Sequence, residues 1–523
     1  MKSHLNNPGM RPVGFTVIAA RLVMASIFAA CGAAVDAADT ADTSTGSRPN
    51  ILYIFTDDQS IRSVGCYPEA HDWVRTPNLD RLASEGVRFT TCYTGAWCQP
   101  SRATALTGRL QHGIQALSKK PPPGRIADSY WPTEFRKAGY HTGMIGKWHT
   151  GKDKGHGRAW DYSAIWDHTN GPVYGGYYVN QSIDFNGQRK KVDGYSTDNY
   201  TDWAVDYVKE RAAKPDQPWY LWLCYDGVHH PFMPAERHED EYPQTPLVPV
   251  PADIYPPRPD KPRYMRNFTV WKKLEDGQAK CIRRTPAHFG RTLTELVRQY
   301  NRTVRAIDEG VGRVLAALEQ TGQLENTLVI FTSDQGYAWG QHGFAWKYAP
   351  YDDNLRAPLL VRYPKRFPRG AVCEEPVAGH DLIPTFFALA DIELPWRMHG
   401  RDILPLLENP KSRLETPVML ENLRDYYGRD TDAGTGPGID GVPWWIFLRK
   451  GKYKYIRTLV KDEVEELYDL DADPGELQNL AVRRENHKLL AQFRKMLLAE
   501  LRRTDAGLID NLPPVKVVTN QEK

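Results

Sequence analysis

Three short apolar runs, each ending in polar or acidic residues, constrain the fold of this 523-residue chain more than any other feature. Ile51-Leu52-Tyr53-Ile54-Phe55 leads into Thr56-Asp57-Asp58, residues 219–225 lead into Asp226 and the pair His229-His230, and residues 327–331 lead into Ser333-Asp334-Gln335-Gly336. Apolar runs of this length, without polar alternation, are the pattern of strands covered on both faces. Between them lie helical patterns, clearest over 295–322, where Leu296, Tyr300, Val304, Ile307, Val311, Val314 and Leu318 fall on one face and Gly322 offers a stop. Shorter helices are expected over 76–86 and after residue 98. Strands alternating with helices predict an α/β fold: a large mixed, mostly parallel sheet sandwiched by helices. Such sheets place ligands at the carboxyl ends of their strands, so the three polar run ends should meet along one edge.

Beyond residue 402 the pattern changes. Residues 445–448, 453–456 and 466–470 read as short strands and 485–502 as a helix, which predicts a smaller C-terminal α+β domain with an antiparallel sheet over 403–510 and a tail over 511–523. The catalytic domain is then expected over 50–402. Residues 234–283, dense in proline and charge, predict a long surface insertion. At the other end, Lys2 and Arg11 precede an apolar stretch over 22–35, and Val35-Asp36-Ala37 fits signal-peptidase cleavage. A signal peptide over 1–37, a flexible leader over 38–49 and export to the periplasm or beyond the cell are therefore expected. The apolar stretch is too short for a transmembrane anchor, and Arg21 blocks its extension. Phe28-Ala29-Ala30-Cys31 resembles a lipoprotein processing site with a poor first residue, so a lipid anchor at Cys31 is the weaker alternative. A net charge of only +3 lacks the basic excess that a nucleic-acid partner requires.

Asp57-Asp58 and Asp334-Gln335 supply four oxygen-bearing side chains from two run ends. Oxygen-only donors favour Ca2+ or Mg2+ over zinc. An isolated Asp-Asp is more often a solvated turn or a helix cap, so this pair gains its weight from its partners. The seven cysteines show no zinc spacing. Setting aside Cys31 and Cys98 leaves an odd number, and their pairing stays open.

The most specific run is Cys98-Gln99-Pro100-Ser101-Arg102, continued by Ala103-Thr104-Ala105-Leu106-Thr107-Gly108-Arg109. It resembles the modification signature of the formylglycine-dependent (type I) sulfatases of the alkaline phosphatase-like superfamily. Further segments resemble that family in order: Gly146-Lys147-Trp148-His149, Val228-His229-His230-Pro231, Gly343-Phe344-Ala345-Trp346-Lys347, and Glu466-Leu467-Tyr468-Asp469 with Asp473-Pro474-Gly475-Glu476. The likeness spans residues 50 to 480.

That resemblance implies oxidation of Cys98 to formylglycine by a formylglycine-generating or anaerobic maturation enzyme. The aldehyde hydrate carries two hydroxyls on one carbon, one to attack sulfur and one to expel sulfate afterwards. It also implies one divalent cation, Ca2+ or alternatively Mg2+, held by Asp57, Asp58, Asp334, Gln335 and residue 98, with Gln335 standing where Asn is common. Arg102, Lys147 and Lys347 would hold the sulfuryl oxygens. Asp334 would act as base, His229 (aligned on Pro231) would protonate the leaving alcohol, with Lys347 sharing in that step, and His149 would deprotonate the remaining hydroxyl. Residues 160–196 and 234–283 resemble the family least and are expected to form substrate-side loops. Trp97, Trp166, His168, Tyr337 and Trp339 lie near the motifs and are candidate substrate-binding residues for a sulfated carbohydrate. Two alternatives stand beside this reading: a phosphonate or phosphate monoester hydrolase of the same superfamily, and a non-catalytic sugar-binding relative.

Overall fold

The computed structural model describes residues 48–118, 129–167, 176–423 and 441–516. His168, Cys31, the expected signal peptide, most of the leader and the last seven residues lie outside them. In chain order the strands are β1 (Asn50–Thr56), β2 (Val87–Tyr93), β3 (His141–Lys147), β4 (Tyr162–Trp166), β5 (Val179–Phe185), β6 (Gln188–Tyr195), β7 (Trp219–Cys224), β8 (Trp271–Lys273) and β9 (Ala279–Cys281). They continue with β10 (Thr327–Ser333), β11 (Arg356–Arg362), β12 (Ala371–Cys373), β13 (Val377–Ala378), β14 (Val418–Asn422), β15 (Trp445–Lys450), β16 (Tyr453–Thr458) and β17 (Glu466–Asp469).

The main sheet runs β12-β2-β11-β10-β1-β7-β3-β4-β5-β6, with β13 also on β2. Its centre, β10-β1-β7-β3-β4, is parallel throughout, and antiparallel pairs flank it. Every residue of β1, β7 and β10 is buried, as their unbroken apolar runs require. The pleat sends alternate side chains into two cores. Leu52 and Ile54 join one with Leu296, Val304 and Val311 of the helix Leu293–Gln320. Ile51, Tyr53 and Phe55 join the other with Ile383, Phe386 and Phe387 of the helix Leu382–Ala390. A second, antiparallel sheet, β14-β15-β16-β17, packs near the helix His487–Arg503. The α/β sandwich with a C-terminal antiparallel sheet is thus the fold read from the sequence. No described helix is long and apolar enough to cross a membrane.

Two segments depart from expectation. Residues 160–196 contain β4, β5 and β6, which extend the main sheet instead of forming loops. β6 is mostly exposed and charged, as suits an edge strand, so it carries no apolar run. Residues 234–283 are a packed cover and not a loose insertion. Ile254, Met265, Trp271 and Cys281 enter the core, Val270 N donates to the Gly343 carbonyl (3.1 Å), and Trp271 Nε1 donates to the Phe344 carbonyl (3.0 Å). The prolines of 234–262 leave that stretch without ladders, β8 and β9 pair as a short antiparallel hairpin after it, and the apolar side chains still bury.

Candidate active site

The end of β1 carries Asp57 and Asp58, and the end of the adjacent, parallel β10 carries Asp334 and Gln335. In-register pairing of Thr56 with Ser333 therefore brings the two acidic turns side by side. Backbone bonds lock them: Asp57 N to the Gly227 carbonyl (2.9 Å), Asp334 N to the Thr56 carbonyl (3.1 Å), and Asp58 N to Asp334 Oδ1 (2.9 Å). Carboxylate oxygens of Asp57, Asp58 and Asp334 lie within 4.8 Å of one another, all buried. Asp57, Cys98 and His229 form a second, overlapping group of the same kind.

Like charges crowded out of water must either bind protons or find cations. Burial, then the Asp57 charge, raises the Asp334 carboxyl well above the ordinary range, and burial also raises Asp58. Burial acts against Asp57 too, but Lys147, followed by His229, Arg102 and Lys347, outweighs it and holds that carboxyl well below the ordinary range. Asp57 Oδ1 and Gln335 Oε1 are buried acceptors without a hydrogen-bond partner. Three clustered carboxylates and an amide oxygen, with two buried acceptors unanswered, form an oxygen-only donor set that fits a hard divalent cation. The amide nitrogen of Gln335 donates to Asp58 Oδ1 of the same cluster.

Cys98 is the first residue of the helix Cys98–Thr107, after extended Trp97, and Gly108 closes that helix in the left-handed conformation (φ 67°). Its Sγ lies 2.9 Å from Lys347 Nζ, which also donates to Asp58 Oδ1. Burial, with the Asp57 charge, pushes the thiol up to about 12. A thiolate nucleophile at neutral pH is therefore not what this environment provides. Lys147, the last residue of β3, points its Nζ at Asp57 Oδ2 and at the Tyr177 hydroxyl (2.8 Å). Arg102 makes its hydrogen bonds within the protein. It is fully buried, and its terminal nitrogens donate to Asp334 Oδ2 (3.0 Å) and the Lys147 carbonyl (2.9 Å), so it braces the acidic turn and the end of β3.

His229 Nδ1 lies 2.7 Å from the His230 carbonyl, an acceptor only, so this nitrogen carries the hydrogen and Nε2 faces the carboxylates, 3.9 Å from Asp58 Oδ2. Burial, then His230, holds its imidazole well below the ordinary value, against the pull of Asp57. His230 is pushed down to about 3 by burial and Lys347. Of the two histidines, His229 is the one grouped with Asp57 and Cys98. His149 is half-buried with its ring 6.3 Å from that of Trp97.

The aromatic candidates separate. Trp97 is half-buried between His149 and Tyr348, and Trp166 is buried edge-on to Tyr177 (4.7 Å). Tyr337 and Trp339 are only 2% exposed and belong to the core: the Tyr337 hydroxyl meets His288 Nε2 at 2.7 Å, and Trp339 packs on Tyr300. Two tyrosines join the site that the sequence did not assign to it. The Tyr300 hydroxyl donates to the Asp58 carbonyl and accepts from Ser60 N (2.9 Å), and Tyr177 bridges Lys147 and Asp57. Spacing places Tyr300 on the apolar face of its helix, but no local pattern marks its contact with Asp58, nor Tyr177 at all, because each meets the site only through tertiary packing.

The fold and this cluster are those of a known family. A family model described as Sulfatase matches residues 49–392, and one described as N-sulphoglucosamine sulphohydrolase, C-terminal, matches residues 340–504. The chain belongs to the sulfatase family, within the alkaline phosphatase-like superfamily, and is a sulfatase. It is 28% identical to an N-acetylglucosamine-6-O-sulfatase of Bacteroides thetaiotaomicron over 90% of this chain and 88% of that protein. It is 32% identical to an uncharacterised sulfatase of Escherichia coli over 83% of each. A solved structure of a protein in complex with its substrate, D-glucosamine-2-N,6-O-disulfate, superposes with a TM-score of 0.75 at 26% identity, covering 88% of this chain and 99% of that one.

Proposed function

We propose that this sulfatase removes sulfate from a sulfated carbohydrate, using formylglycine made from Cys98 and one divalent cation, Ca2+ in the first instance. The observation that carries the reading is the convergence of Cys98, three buried carboxylates, Lys147 and Lys347. Asp57, Asp58, Asp334 and Gln335 would hold the cation, with residue 98 beside them, and the bound cation would neutralise charge on the sulfuryl group. Formylglycine hydrate would supply the attacking hydroxyl. Its place at the start of a helix favours negative charge there.

The protein's own groups do the rest. Lys147 and Lys347, fixed and dehydrated, bind sulfuryl oxygens and match the charge that builds up in the transition state. The Asp334 carboxylate, made more basic by burial and braced by Arg102, takes up a proton next to residue 98. His229 Nε2 delivers a proton to the departing alcohol. An anionic sulfate ester between the two lysines offsets the positive charge that, with burial, keeps this imidazole neutral. His149 is the second histidine available, for the proton released when sulfate leaves. In this reading residues 50–402 carry the chemistry, 403–510 support them, and a maturation enzyme and an export signal over 1–37 act before the enzyme does.

Two of the proteins named above, the N-acetylglucosamine-6-O-sulfatase and the one solved with D-glucosamine-2-N,6-O-disulfate as its substrate, make N-acetylglucosamine 6-sulfate the first sugar to assay. Cys98→Ala is expected to abolish release of sulfate from 4-nitrophenyl sulfate and from the sugar ester while the protein remains folded. Undiminished turnover, or faster hydrolysis of 4-nitrophenyl phosphate than of the sulfate by the matured enzyme, would contradict the reading.

A further inference from the structure

Tyr177 occupies a position that the reaction scheme leaves without a task. Its ring lies parallel to the His229 imidazole, with centroids 4.6 Å apart and planes within 10°. Trp166 packs edge-on against it at 4.7 Å, and Tyr178, whose own hydroxyl donates to the His229 carbonyl, lies at 5.3 Å. At the far end of the side chain, the hydroxyl donates to Asp57 Oδ2 (2.7 Å) and accepts from Lys147 Nζ (2.8 Å). The whole residue is 1% exposed. One rigid side chain therefore touches a histidine, a lysine and a carboxylate of the site.

A histidine ring turns about two torsions, and the Nδ1 bond to the neighbouring carbonyl still permits tilting about that contact. A parallel aromatic face removes this freedom, and Nε2 is then aimed in one direction. Long lysine side chains lose much rotamer freedom on ordering, and a hydroxyl that accepts from Nζ while donating to the partner carboxylate fixes the pair in one geometry. We infer that Tyr177 is a positioning residue for the hydrolysis: its ring sets the plane from which His229 delivers the proton, and its hydroxyl fixes Lys147 against Asp57. The inference rests on the reading of His229 as the acid.

The two ends of the side chain separate by substitution. Tyr177→Phe keeps the ring over His229 and loses the hydroxyl, whereas Tyr177→Leu loses both. The test compares kcat/KM for 4-nitrophenyl sulfate, whose leaving group needs little help from an acid, with that for phenyl sulfate, whose leaving group needs more. The ratio of two substrates on one preparation does not depend on how much of it is folded or matured. Tyr177→Leu is expected to lose about tenfold more on phenyl sulfate than on 4-nitrophenyl sulfate, the size of a partly impaired acid. Tyr177→Phe is expected to lose activity on both esters alike, because Lys147 acts on the sulfuryl group they share. His229→Ala is the reference and should shift the ratio at least as far as Tyr177→Leu. If His229→Ala shifts the ratio and Tyr177→Leu does not, the inference is overturned. If His229→Ala leaves the ratio at the wild-type value, the acid assignment falls, and the inference with it.

Discussion

Arg102 and Gln335 illustrate how much a single side chain can be asked to do in a dry site. With Arg102 removed, Asp334 Oδ2 loses its charged partner in a place without solvent. Breaking a buried ion pair from one side costs about 3–5 kcal/mol. Arg102→Met should lower the stability of the unmatured protein by about that order in urea unfolding, and a loss under about 1 kcal/mol would show that Asp334 does not need the brace. Gln335 makes a different claim. If its unpartnered Oε1 is a cation donor, Gln335→Leu should weaken Ca2+ binding at least about tenfold, or about 1.4 kcal/mol, in a calorimetric titration. An unchanged Kd would remove it from the donor set. Asp57, Asp58, Asp334, Cys98, His229 and Lys347 were legible in the sequence because each sits in a run that limits its chemistry. Arg102 was legible as a residue but not by its partners, and Tyr177 was not legible at all, since stacking and bridging are properties of packing.

Among the elements, β3 shows how backbone geometry presents a side chain. Gly146 precedes Lys147 with φ 103°, and a Cβ built there would lie 1.9 Å from the Cys224 carbonyl oxygen of β7. A side chain at this position must push two parallel strands apart or rotate the peptide that aims Lys147. Gly146→Ala is expected to lower stability by about 1–3 kcal/mol and to reduce kcat/KM for sulfate esters by more than the folded fraction explains, measured by thermal unfolding and steady-state kinetics. Wild-type values for both would contradict the account. Of the central strands, β1, β7 and β10 were readable because burial on both faces leaves an unbroken apolar run, whereas β3, with His, Thr and two glycines, and β4 were not. β5 and β6 were not, because an edge hairpin with a charged outer face has the composition of a loop. Residues 234–283 hid for the opposite reason: proline density pointed to an irregular loop and says nothing about burial, nor about the short β8-β9 hairpin after the last proline of that run.

At the scale of the molecule, several buried titratable groups make stability depend on pH. His380 is packed among Asp381, Arg401, Arg503 and Glu421, and burial pushes its imidazole down to about 4. In the unfolded chain it titrates near about 6.5. Between these values the unfolded state binds a proton that the folded state does not. Stability from this group is therefore complete above the unfolded value and is lost as pH falls toward the folded one. His288 and His399 shift in the same direction, whereas Asp226 and Glu476, each raised to about 7 by burial, lose stability as pH rises through the same window. His380→Gln isolates one proton of this balance. Relative to wild type, its stability should improve by up to about 1.4 kcal/mol per pH unit as pH is lowered from about 6 to about 4.5, and parallel pH profiles would contradict the shift.

The site centres on residue 98, whose thiol is buried, far from ionised at neutral pH, and set beside Lys347 and the acidic turns. The measurement that tests it most directly is the mass of the tryptic peptide bearing residue 98, taken from enzyme that is turning over a sulfate ester. Conversion to formylglycine predicts a peptide lighter than the cysteine form by roughly 18 Da, a difference set by covalent chemistry alone. Full activity with only unmodified Cys98 in the peptide would contradict it.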